Sequence, residues 1–498
     1  MKQLSRNNLK EISPMEGLLI PGDKLFDLPE KVLQFGTGVL LRGLPDYFID
    51  KANRQGIFNG RVVVVKSTSG GGTDEFGKQD GLFTHCIRGI EDGKAVEETI
   101  INSSISRVLS AREEWKEILA LAYKPSMEII ISNTTEVGIT LLKESISQNP
   151  PQSFPAKLLA FLYERYKAFA GAADKGMVIV PTELIIDNGK KLKAIVLELA
   201  AFNQLEPAFV EWIEKANHFC DSLVDRIVPG KLQPRDLEIT ENKLGYKDEL
   251  MILSESFSLW AIESSNEKVK NTLSFQQADK GMVIATDIEK FRELKLRLLN
   301  GTHTFSCGLA LLSGFATVKE AMAHAGMFSY VHNLVMGELA RAVESESISY
   351  KEAADFAGKV LDRFRNPSLE HQWTSISVQY SSKMKMRNIP LLLNYYKKFE
   401  ETPEHMALGM AAYLLVMRGN NPAFKVQDDH AAVLADAWEA NSEETIAKSV
   451  LSNENLWGTD LSELNGFEEA VRRYLHLLVK QGAIETIGIL QGSKTMVS

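Results

Sequence analysis

Short apolar runs that end in polar residues alternate with amphipathic stretches over the first half of the chain. KVLQF (31–35), RVVVV (61–65), MEIIISNT (127–134) and GMVIVPTEL (176–184) have the length and β-branched character of strands. RVVVV is apolar at every position after its arginine, which suits a parallel strand covered on both faces. VLLRGLPDYFIDKANRQG (39–56) has helical spacing between the first two runs. A polar loop, STSGGGTDEFGKQDG (67–81), follows RVVVV; it is too long for a simple connector, and such loops are usually functional or mobile. Past about residue 285 strand-like runs become scarce. Helical periodicity then dominates over 320–345, 350–365, 390–400, 404–418 and 466–482. The pattern predicts a doubly wound α/β half and a helical half, with no internal repeat.

Composition narrows the picture only a little. With 498 residues, 44% hydrophobic and 24% charged, the chain is globular and long enough for two or three domains. A net charge of −9 argues against a nucleic acid or an anionic membrane as partner. The longest near-apolar run, MALGMAAYLLVM (406–417), is about half of a membrane span and predicts a buried helix. The N-terminus has no apolar segment of the secretory kind. Three scattered cysteines, Cys86, Cys220 and Cys307, fit a reducing, cytoplasmic setting without disulfides.

Chemistry enters at LQFGTGVLLRG (33–43). Gly36 and Gly38 stand where the first strand passes into the first helix, where glycines allow a tight turn and let backbone N–H groups approach a pyrophosphate. Leu41 occupies the place of a third glycine, so the motif gains its weight from its position at the head of the alternating half. The fold class is therefore α/β, with an N-terminal Rossmann-like doubly wound domain over residues 1–287 and a mostly α-helical C-terminal domain over 288–498. The second strand ends in Lys66-Ser67-Thr68 rather than an acidic residue, so the residues alone leave NAD and NADP open.

LKLRLLNGTHTF (294–305) is leucine-rich yet carries Lys295, Asn300 and His303. On an α-helix each residue turns by about 100°, so Lys295, Leu299 and His303 form one row and Asn300 lies about 60° from it. The three supply what hydride transfer at a carbon bearing oxygen requires. A lysine desolvated by leucines carries the proton, and an amide and an imidazole donate to the developing alkoxide. Lys295 and His303 lie about 12 Å apart along an ideal helix, so either the lysine reaches forward or the helix is irregular near Gly301. His324 and His332, eight apart, lack metal-ligand spacing, and no metal is expected.

K-L-R-L-L-N-G-T-H resembles the K-x-x-x-x-N-x-x-H pattern of the mannitol dehydrogenase family, the long-chain polyol-specific dehydrogenases and reductases. FGTGVLLRG, SNTTEVG (132–138), SLVDRIVPG (222–230), ESFSLWAIE (255–263) and RFRNPSLEHQWTSISVQYSSKMKMRNIP (363–390) are similar to further family motifs in the same order. The resemblance implies a metal-independent enzyme with Lys295 as general acid/base and Asn300 and His303 on the reacting oxygen. It places the coenzyme at Phe35, Gly36, Thr37, Gly38 and Arg42, and at Asn133, Thr134 and Glu136. SNTTEVGI, PTELIIDNG and FRNPSLEHQ are most similar to the branch that interconverts D-tagaturonate and D-altronate with NAD(H) in galacturonate breakdown. Fructuronate-reducing and polyol-oxidising members are the alternatives within the family, and a non-catalytic dinucleotide-binding regulator is the alternative outside it. Leu184 stands where mannitol dehydrogenases have an oxyanion-binding asparagine, so Glu183 or Asn188 becomes the candidate replacement. Ser375 stands where they have an arginine. A keto sugar acid needs a cation for its carboxylate, and Lys383, Lys385 and Arg387 are the candidates.

Overall fold

The computed structural model describes residues 1–67, 74–134 and 138–494. The chain divides into two compact units, Met1–Arg88 with Val96–Ile288, and Gly89–Ala95 with Glu289–Ser498.

The first unit is built on six parallel strands: β1 (Glu30–Phe35), β2 (Arg61–Lys66), β3 (Ile105–Ser110), β4 (Ile129–Ser132), β5 (Val178–Pro181) and β6 (His218–Phe219). Their spatial order is β3-β2-β1-β4-β5-β6. This is the dinucleotide-binding order, in which the direction of winding reverses between β1 and β4. Side chains alternate between faces, and both faces are buried. Leu33, Phe35, Val63, Val65, Ile130 and Ile179 pack on one side, with α3 (Phe154–Ala168) and α4 (Asn188–Phe202). Val32, Val62, Val64, Ile129, Ile131 and Val178 pack on the other, with α2 (Pro45–Arg54), which follows the short α1 (Val39–Gly43). Doubly covered strands explain why RVVVV has no polar alternation. Two neighbouring strands not expected from the pattern, Phe83–Glu91 and Lys94–Asn102, are joined at Asp92-Gly93, both of which have positive φ (49° and 75°). That pairing of turn residues favours a tight hairpin.

The second unit is helical. One long rod runs through α5 (Glu289–Leu294), a π-helical segment Lys295–Asn300, and α6 (Gly301–Leu312). Then come a π-helical segment Asn333–Leu339, α7 (Tyr350–Phe364), a further π-helical segment Met384–Asn388, α8 (Ile389–Lys398), α9 (Glu404–Met417) and α10 (Phe467–Gln481). A capping box between Ser349 and Glu352 starts α7. The near-apolar run is α9, almost wholly buried; among the described residues no helix is long and apolar enough to cross a membrane. α6 and α9 meet at two glycines. A Cβ on Gly308 would lie 2.8 Å from the Ala412 carbonyl carbon, and one on Gly409 would lie 2.8 Å from the Phe305 carbonyl oxygen.

Candidate functional site

In the first unit the candidates collect at the carboxyl ends of β1 and β4, where Phe35 pairs with Ser132 and the winding reverses. Gly36 has φ +128°, and a Cβ there would meet Leu41 Cδ1 at 2.8 Å and the Asn133 carbonyl oxygen at 2.9 Å. Only glycine fits. Gly38 differs: its φ is −63° and a Cβ would meet nothing within 4 Å. Packing does not require this glycine, so the open space before α1 remains for a ligand, and the turn fits a pyrophosphate. Thr37 is half-buried between the two. Phe35 contributes packing, fully buried with its ring 5.1 Å from that of Phe154. Arg42 is not presented to a coenzyme. It is buried, donates from Nη1 to the Leu250 carbonyl, and lies over the rings of Phe76 and Phe83. Glu136 and residues 68–73 of the glycine-rich loop lie outside the described residues.

The polar side chains at this edge bind one another. Glu183 accepts from Thr134 N at 2.8 Å, Thr134 Oγ1 at 2.9 Å and Ser132 Oγ at 3.1 Å. Asn133 Nδ2 donates to Thr182 O and Oγ1. Asn188, expected on the substrate, is fully buried. Its amide donates to the carbonyls of Pro181, Glu183 and Ser222 and accepts from Gly189 N and Ser222 N. No hydrogen is left for a substrate, so Asn188 staples α4 to the strand ends instead. Beneath α1, Gln34 Nε2 donates to the buried Asp46 at 3.3 Å, while Gln34 Oε1 and Asp46 Oδ1 have no partner. Burial lifts the Asp46 carboxyl to about 7, against the hydrogen bond from Gln34 and the charge of Arg42. Once protonated, such a carboxyl gains a donor that a neighbouring amide oxygen can accept.

In the second unit the rod carrying the polar trio is irregular next to Gly301. Over Lys295–Asn300 the helix is π-helical, with wider i→i+5 turns, and it returns to α geometry at Gly301. Lys295 and Asn300, five apart, are thereby brought one turn from each other. Two threonine hydroxyls serve the wide stretch: Thr302 Oγ1 donates to the Leu298 carbonyl and Thr304 Oγ1 to the Asn300 carbonyl at 2.8 Å. Back-bonding of this kind bends helices. Further along, the Tyr380 hydroxyl donates to the Thr304 carbonyl at 2.8 Å and accepts from Gly308 N at 2.9 Å. It bridges a carbonyl and an N–H that would ordinarily pair directly.

His303 is buried, stacked on Phe364 with ring centroids 4.0 Å apart and edge-on to His371 at 4.9 Å. Burial holds its imidazole well below the usual value, and His371, Arg363, Arg387 and Lys383 push in the same direction. The ring is therefore neutral at physiological pH, and its buried Nε2 has no partner. Three more buried polar atoms of the same unit are also unmatched: Ser306 Oγ, Arg387 Nε and Asn388 Oδ1. Asn300 is half-buried and its amide meets no partner among the described residues. Lys295 is half-buried beside the buried Leu294, Leu298 and Leu299.

The three candidate carboxylate cations separate. Arg387 donates to Thr304 Oγ1 at 3.3 Å, and so reaches the helix that carries His303. Lys383 donates to the Ile376 carbonyl at 2.9 Å; burial and the charge of Arg387 lower its ammonium. Lys385 is exposed and donates to the Asn455 carbonyl at 3.3 Å, away from this group. Arg363 and His371 join the cluster without having been singled out. Among the described residues no group of acidic, histidine or cysteine side chains could hold a metal.

The chain is similar to known proteins over most of its length. The family model described as the mannitol dehydrogenase Rossmann domain matches residues 30–274, and that of the mannitol dehydrogenase C-terminal domain matches 287–479. The altronate oxidoreductase of Bacillus subtilis is 38% identical over 478 residues, covering 94% of this chain and 98% of the relative. That of Klebsiella pneumoniae is 36% identical over 471 residues, covering 92% and 96%. Among solved structures, Pseudomonas fluorescens mannitol 2-dehydrogenase in complex with NAD and D-mannitol superposes with a TM-score of 0.67 at 21% identity, covering 98% of this chain and 99% of that one. A substrate-free D-sorbitol dehydrogenase gives 0.76 at 17% identity, covering 97% and 100%.

Proposed function

The chain belongs to the mannitol dehydrogenase family and is an oxidoreductase of CH–OH groups in polyols or sugar acids that uses a dinucleotide cofactor; from that premise we propose that it reduces D-tagaturonate to D-altronate, reversibly, with NAD(H). The observation that carries this reading is the set of unmatched buried atoms on His303, Arg387 and Asn388 beside the cations Arg363, Arg387 and Lys383. The cations favour a carboxylate, and Asn388 Oδ1 can only accept a hydrogen bond, as from a hydroxyl, which together suit a sugar acid.

The Gly36–Gly38 turn would hold the pyrophosphate of NAD(H), which when bound would supply or accept the hydride. Asn300 and the neutral His303 donate hydrogen bonds to the keto oxygen and strengthen them as negative charge grows there. Lys295 gives that oxygen its proton on reduction and takes it back on oxidation. Arg387, assisted by Lys383, receives the carboxylate. A hydrogen bond from such a charged donor is worth about 1.5–3 kcal/mol, or roughly 10–150-fold over an uncharged ketose.

The test is NADH oxidation by the purified protein with D-tagaturonate, D-fructuronate and D-fructose. The expected order of kcat/KM is tagaturonate first by at least ~10-fold, with fructose last. Preference for fructuronate, or turnover of fructose alone, overturns the substrate. Faster oxidation of NADPH than NADH overturns the coenzyme.

A further inference from the structure

The π-helical segments Lys295–Asn300 and Met384–Asn388 are tied to each other by side-chain hydrogen bonds that the proposed chemistry does not use. Pro390 has no N–H and its ring crowds the carbonyl four residues earlier, that of Met386. That carbonyl is answered from the other segment: Arg297 Nη1 donates to Met386 O at 2.6 Å and to Arg387 O at 3.0 Å. Glu293, one turn before Arg297, holds the guanidinium by its Nε at 2.9 Å. In the reverse direction Asn388, fully buried, donates from Nδ2 to the Gly301 carbonyl at 3.1 Å, just past the end of the first segment. Arg387 adds a third tie, through Thr304 Oγ1, to the Asn300 carbonyl.

π-helical turns are rare and poorly bonded compared with α turns, and they persist where surrounding contacts impose them. We propose that Arg297 and Asn388 are positioning residues: they hold the two π-helical segments in register and so set Lys295 and Asn300 against Arg387. The inference rests on Lys295, Asn300 and His303 acting as proposed above. The Met386 side chain is exposed, so water can take over the carbonyl that Arg297 leaves. Loss of Arg297 then loosens the register without unfolding the rod. Relaxation of Lys295–Asn300 to i→i+4 bonding turns Lys295 about the axis relative to His303.

Arg297→Met keeps the apolar stem and removes the donors, whereas Arg297→Lys keeps one. With tagaturonate, Arg297→Met is expected to lose about 100-fold in kcat, the scale of a 1 Å misplacement. NADH affinity by fluorescence titration and the thermal midpoint should stay near wild type. Arg297→Lys should recover a substantial part of kcat, and Asn388→Ala should lower kcat in the same way. A kcat for Arg297→Met near wild type, or a loss that follows a collapse of the thermal midpoint, overturns the proposal. Lys295→Ala separates the two readings. If it is inactive while Arg297→Met is normal, only the register fails; if it is active, the catalytic reading itself fails.

Discussion

The two units deploy polar side chains in opposite ways. At the strand ends of the first unit Ser132, Asn133, Thr134, Thr182, Glu183 and Asn188 are consumed by one another, and what faces a ligand is glycine backbone. In the second unit His303 and Ser306 on the rod, and Arg387 and Asn388 on Met384–Asn388, keep buried atoms unmatched, and both stretches of chain include a π-helical segment. Holding a cofactor common to many enzymes needs a rigid edge and a bare turn. Acting on one carbonyl needs side-chain atoms free to change partners as charge develops.

The contrast breaks most decisively at Lys295. Lys295→Ala should cost about 10²–10⁴ in kcat and leave NADH affinity unchanged; turnover near wild type would remove Lys295 from the chemistry. The next effect belongs to the glycines. Gly36→Ala forces a strained φ and two contacts under 3 Å, and should lower both stability, by about 1–3 kcal/mol, and NADH affinity. Gly38→Ala meets no protein atom, so NADH affinity should fall about tenfold with an unchanged thermal midpoint. If both glycines behave alike, Gly38 is a folding residue and the cradle is wrong. The smallest effect is in the pH dependence of stability. His85 and His303 are held below their usual value by burial. The unfolded chain therefore binds more protons, and stability falls as pH drops below about 6.5, by up to ~1.4 kcal/mol per pH unit for each. Asp46 has the opposite sign: its folded value is raised to about 7, so the stability its proton contributes is lost as pH rises from about 3.9 to 7, against the histidine effect. Thermal melts across pH 5–9 should show stability falling below about pH 6.5, and Asp46→Asn should steepen that fall.

Much of the first unit was legible because its rules are local. β-branched runs, glycine turns and strand–helix alternation announce a doubly wound sheet without knowledge of distant partners. The hairpin has a local signature too, in Glu91-Asp92-Gly93-Lys94, but its strands are not purely apolar and so lack the pattern of the sheet strands. Asn188 and Arg42 show where local reading stops. Each is a polar residue in the expected segment, and only the fold reveals that neighbouring carbonyls or aromatic rings already occupy it. The polar trio could be read from residue type, and the geometric misfit of an ideal helix left a distortion near Gly301 as one of two solutions. The ties proposed to hold that distortion span about ninety residues, from Arg297 to Met386 and Asn388 to Gly301, and such pairings have no local signature. Lys385 and Arg387 diverge because residues two apart on a helix do not face the same side.

The unmatched atoms around His303 also bear on what the site turns away. If, as proposed, His303 Nε2, Arg387 Nε and Asn388 Oδ1 meet the substrate, selection there does not rest mainly on shape. A sugar acid lacking the oxygen opposite one of them fits without collision and leaves that atom stranded. Sites of this kind reject the missing hydroxyl far more strongly, by about 10⁴–10⁵, than an apolar pocket rejects an extra methylene. Deoxy analogues should therefore be refused more firmly than bulkier sugars that keep every oxygen.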